Sequence, residues 1–233
     1  MENQKVVTGA GARASESSFI SKVFLWMAVG LAVSTLGSFW LLSQPPLLTA
    51  IVKNQWLFFG LVIAEIGMVV WLSAAIMSMS AGLATLLFLA YSFLNGVTLS
   101  PIFLVYTGAS IATTFAVSAG TFFFFSLYGL TTKKDLTTMG GLMMMGLIGV
   151  ILASVVNIFL KSSPLGWAIT FIGVAVFMGL IAWDTQKLKA MHAMGFQSEA
   201  LEKKMVIIGA LALYLDFINL FILLLRIFGK RKD

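Results

Sequence analysis

Long apolar runs separated by short polar breaks dominate this sequence, and the runs exceed what a soluble element needs. A helix rises about 1.5 Å per residue, so about 20 apolar residues cross a hydrocarbon core of about 30 Å. Seven runs meet that length: Phe24–Leu42, Trp56–Met77, Ala81–Tyr106, Ile111–Leu130, Met139–Leu160, Trp167–Leu188 and Met205–Phe228. Gln44-Pro45-Pro46 ends the first run, and Asn95-Gly96 and Pro101 lie inside the third. Only Ser78–Ser80 separates the second from the third, which predicts a tight helical hairpin. Residues 1–17 are polar and small and offer nothing to bury, so the pattern predicts a disordered tail followed by a transmembrane domain over 18–231. The tail and first run do not read as a cleavable signal, because further spans follow.

Composition agrees with an all-α, polytopic membrane protein. Of 233 residues, 60% are hydrophobic and 10% charged, with mean hydropathy +1.01; a soluble domain carries roughly 25% charged residues. Without cysteine there is no disulfide framework and no thiolate metal site. The net charge of +6 does not indicate nucleic acid, because the basic residues sit in short loops and at the end of the chain. Seven crossings put the termini on opposite sides. Lys5, Arg13, Lys22, Lys133, Lys134, Lys187, Lys189, Lys203 and Lys204 fall on the N-terminal side, against Lys53 and Lys161 on the other. The positive-inside rule therefore predicts a cytoplasmic N-terminus. The basic tail from Arg226 to Lys232 runs against that count and is expected to lie on the outer side. Glycines recur through the spans where helices can pack closely, and Met143–Met145 and Phe122–Phe125 read as core or lipid-facing surface.

Charge within a span is costly, so three acids stand out: Glu65, Asp184 and Asp216. Glu65 lies mid-way along the second span, where it either bonds to a neighbouring helix, lines a polar path or pairs with a cation. Asp184 lies near the cytoplasmic end of the sixth span, with Lys187 and Lys189 as nearby partners. Asp216 sits in a run apolar on both sides, and Asn219 follows three residues later on the same face. A polar stripe in lipid must turn inward, which places the seventh span at the centre of the bundle. If everything between them were helix, the depths of Asp184 and Asp216 would differ by about 9 Å. Spacing thus permits these two to meet without requiring it.

The segment Ala210–Phe221, ending in Leu224-Leu225-Arg226-Ile227-Phe228-Gly229, resembles the signature of the Bax inhibitor-1 family. Ala182-Trp183-Asp184-Thr185-Gln186-Lys187 resembles that family's second acidic motif, with Trp183 where Tyr is usual. Tyr91–Pro101, Gly129–Asp135 and Val155–Phe159 are similar too, so the likeness covers residues 18–231 and is nearest to a bacterial inner-membrane branch. The resemblance implies seven helices, six wrapped around a central seventh. It also implies a pH-sensitive calcium or cation leak, in which an aspartate pair matching Asp184 and Asp216 shares a proton. Glu65 matches an acid on the second helix and, with Asn219, is expected on the polar path. A latch Arg of the characterised leak corresponds to Ile76, so that latch is missing here.

Two carboxyl groups in contact cannot both ionise cheaply and titrate in coupled steps, which supplies a two-state element. Tight Ca²⁺ storage is not expected, since that ion takes six to eight oxygens. No cofactor is expected. A second reading, also implied by the resemblance, is a non-enzymatic membrane stress regulator that binds a membrane-bound AAA protease through residues 1–17. An enzyme is not expected: the Gly-x-Gly-Asp pattern of intramembrane aspartyl proteases is absent, and His192 is the only histidine. No internal repeat supports an inverted-repeat transporter.

Overall fold

A computed structural model describes residues 9–232. Among them nine helices follow in order: α1 (Gly9–Leu42), α2 (Pro45–Lys53), α3 (Gln55–Ala75), α4 (Ala81–Leu99), α5 (Ile102–Val105), α6 (Gly108–Thr131), α7 (Thr137–Leu160), α8 (Ser163–Ala193) and α9 (Glu199–Phe228). Seven segments are long and apolar enough to cross a membrane: Ser15–Leu42, Gln55–Ala75, Ala81–Val105, Gly108–Thr131, Thr137–Leu160, Ser163–Ala193 and Glu199–Phe228. The expected tail falls partly on residues 1–8, outside the described residues; from Gly9 onward the chain is helical and continuous with the first span.

Local chemistry sets the boundaries. Pro45 and Pro46 do more than stop the first span. They occupy the first turn of the short helix α2, where a missing N–H costs nothing. Pro101 breaks the third span, leaving the four-residue α5 beyond it. The hairpin at Ser78–Ser80 forms as expected, with the Ser80 hydroxyl capping α4 by accepting from Leu83 N at 3.2 Å. Asn54 caps α3 likewise, accepting from Trp56 N and Leu57 N.

The most buried span is α9, which packs against α1, α4, α6 and α8. Two helices stand further out: α3 lies against α4, and α7 lies against α8. No hydrophobic effect drives helices together in lipid, so close backbone approach matters more. Two glycines show it. A Cβ on Gly96 would run into the backbone of Ser34 on α1, and one on Gly129 would run into the backbone of Ala182 on α8. Ser38 Oγ donates to the Gly96 carbonyl at 2.6 Å across the first of these seams.

The basic tail is tied down. Arg231 forms a bridge with Tyr106, Thr107 N donates to the Lys230 carbonyl at 3.0 Å and Lys232 N to the Val105 carbonyl at 2.9 Å. Lys232 Nζ also donates to the Phe103 carbonyl at 2.8 Å. The chain end therefore sits on the α5–α6 connection, on the side opposite the start of α1.

Candidate functional site: a carboxyl pair in a lateral cavity

Asp216 projects from the middle of α9 and is 5% exposed. Asp184, on the antiparallel neighbour α8, is half-buried. Their carboxyl groups lie within hydrogen-bonding reach of each other. Both line one cavity of about 490 Å³. Ser73 of α3 and Met144, Leu147 and Ile151 of α7 line it together with residues of α8 and α9. The Asp216 Oδ2 atom is buried with no hydrogen-bond partner among the described residues. A buried polar atom left in that state is costly. Asn219 lines the same cavity, one turn along α9, and donates its Nδ2 to the Leu215 carbonyl at 2.8 Å.

The cations near Asp184 divide their work. Lys187 reaches the cavity and acts on the Asp184 carboxyl by charge. Its Nζ also lies 5.0 Å from the centre of the Trp183 ring. Lys189 instead donates to the Leu130 carbonyl at 2.8 Å, closing the end of α6.

Glu65 lies elsewhere. It does not line the aspartate cavity; it faces α4, where Asn95 Nδ2 donates to Oε2 at 3.0 Å and Thr98 Oγ1 donates to Oε1 at 2.6 Å. Asn95 Oδ1 accepts from the Tyr214 hydroxyl of α9 at 2.8 Å. That hydroxyl lies 2.6 Å from Ser34 Oγ, which is 2.7 Å from the Ser92 carbonyl. Two hydroxyl protons are thus shared over three short contacts. Tyr214 is fully buried. Neither Tyr214, Asn95, Thr98 nor Ser34 was expected from sequence to form this network. Asn95 and Thr98 do sit three apart, on one helix face toward Glu65, and that spacing was the available signal. Ile76, at the position of the latch Arg, is buried in the apolar core at the end of α3.

Among the described residues no group of three or more His, Cys, Asp or Glu side chains could hold a metal ion. The chemistry on offer is that of two adjoining carboxyls that can hold one proton between them, within a largely apolar cavity.

A helical bundle that spans a membrane and holds a carboxyl pair in its interior defines the class: a polytopic membrane protein. Residues 16–233 match the family described as "Inhibitor of apoptosis-promoting Bax1", and the chain belongs to that family. It is 49% identical over 221 residues to the "Inner membrane protein YbhL" of Escherichia coli strain K12, covering 94% of each chain. It is 42% identical over 218 residues to a protein of Borreliella burgdorferi, again over 94% of each chain. It is 34% identical to an "Uncharacterized membrane protein" of Streptococcus pyogenes serotype M1, over 92% of this chain and 93% of the other.

Proposed function

We propose that the protein is a proton-controlled cation leak of a bacterial inner membrane, with Ca²⁺ the leading candidate cation and the N-terminus in the cytoplasm. The observation that carries this reading is the contact of Asp184 with Asp216 inside one cavity. One proton held between the carboxyls ties α8 to α9 and leaves one negative charge. Its loss leaves two facing charges and no hydrogen bond; a second proton leaves none. Each step changes both the charge a cation meets and the link between two helices, so the pair acts as a switch. Asn219 offers a further polar group on the cavity wall. Glu65, with both oxygens engaged, holds α3 to α4. The Lys and Arg asymmetry supports the orientation, and the relative named as an inner membrane protein supports the location. The roles here are conduction and control, with no catalytic residue.

Ca²⁺ entry into dye-loaded proteoliposomes at two pH values tests the reading. Wild type is expected to exceed protein-free vesicles and to respond to pH, and Asp216→Asn to lose that response. Equal fluxes from wild type and Asp216→Asn at both pH values would remove the proposal.

A further inference from the structure

A second cavity, of about 460 Å³, lies where α6 ends and α7 begins. Lys133, Lys134, Lys187 and Lys189 line it, with Asp135 as its one acid. The two ion pairs among the described residues, Lys22 with Glu202 and Lys203 with Glu199, are elsewhere. Asp135 is occupied by Thr137, whose backbone N donates to it at 2.9 Å. The pocket has a fixed shape: Gln186 accepts from Leu136 N and donates to the Lys134 carbonyl, both at 2.8 Å, binding the loop to α8. It therefore presents an excess of positive charge at the membrane boundary.

This basic pocket and the aspartate cavity share two lining residues, Trp183 and Lys187. The apolar side of the aspartate cavity runs along α7 through Met144, Leu147 and Ile151. Met144 and Ile151 are exposed toward lipid. From Thr137 to Ile151 the helix spans about 21 Å, and half of a hydrocarbon core is about 15 Å. A basic site at the membrane boundary that leads into an apolar groove of acyl-chain length matches an anionic amphiphile by charge and by shape.

We infer that an anionic glycerophospholipid binds here, its phosphate between Lys133, Lys134 and Lys187 and one acyl chain along α7. The chemistry shared with any other ligand is the phosphate; the groove is what selects a lipid. The acyl chain would lie on the α7 wall of the aspartate cavity, beside the proposed cation path, so the test reads lipid retention and not flux.

The test uses the full chain and native mass spectrometry after exposure to mixed phosphatidylglycerol and phosphatidylcholine. Wild type is expected to retain phosphatidylglycerol preferentially. Lys133→Gln with Lys134→Gln is expected to lose about 30-fold of that preference, the worth of two interfacial lysines. Lys53→Gln with Lys161→Gln removes the same charge from the opposite side and should change nothing. Met144→Trp, which fills the groove, should lower retention, and inorganic phosphate alone should not displace the lipid from wild type. Unchanged preference in the Lys133/Lys134 variant, or equal loss in the Lys53/Lys161 variant, overturns the site. Full retention by Met144→Trp, or displacement by inorganic phosphate alone, overturns the lipid assignment.

Discussion

The two faces of α9 handle polar groups in opposite ways. On one face Tyr214, Asn95, Thr98 and Glu65 form a network in which both carboxylate oxygens accept a hydrogen bond. On the other, Asp216 adjoins a second carboxyl and keeps one oxygen without a partner among the described residues. Tyr214 and Asp216 are two residues apart, about 200° around the helix, so one helix serves both. A satisfied buried network fixes one arrangement of helices. A pair that can hold zero, one or two protons has several states to move between. The difference separates the part of the bundle that holds α1, α3, α4 and α9 together from the part built to respond.

The largest expected effect breaks the fixed side. Gly96→Leu drives a side chain into the Ser34 backbone and should cost at least about 3 kcal/mol, or prevent folding. Gly141→Leu, with open space around it, should stay within about 0.5 kcal/mol of wild type. Thermal unfolding in detergent reads both, and equal melting of the two variants would erase the distinction. Next, Asn95→Ala leaves Glu65 and Tyr214 short of partners and should cost about 1–3 kcal/mol. Asp216→Asn should stay within about 1 kcal/mol of wild type, since the oxygen it replaces made little use of its surroundings. A larger loss for Asp216→Asn than for Asn95→Ala would reverse the assignment of roles.

The smallest effect lies at the membrane boundary. The Thr137 hydroxyl and amide hold the Asp135 carboxyl below the usual carboxylate range. A group lowered by folding contributes stability above its unfolded pKa and loses it as pH falls through the folded value. Wild type should therefore melt slightly above Asp135→Asn at about pH 6, and the gap should narrow as pH falls below about 4. A gap that widens on acidification would contradict this.

The spans were legible because seven apolar runs of membrane length leave little else for the chain to do. Asp216 stood out for the same reason, as a charge among apolar neighbours. The contact with Asp184 was not legible, since loop residues between two antiparallel helices set their relative depth and no periodicity fixes it. Helix α2 escaped notice because Pro45-Pro46 reads equally as a stop or a first turn. The Glu65 network joins the first, second, third and seventh spans through hydroxyl and amide groups that each look ordinary in their own segment. Only the order in which the helices pack brings Ser34, Asn95 and Tyr214 to one point.

The central claim, that Asp184 and Asp216 act as one proton-holding unit, is tested most directly by a double-mutant comparison of cation flux against pH in proteoliposomes. The account predicts that Asp184→Asn and Asp216→Asn each abolish the pH response and that the double variant shows no further change. Additive effects of the two substitutions, or a pH response that survives in either one, would contradict it.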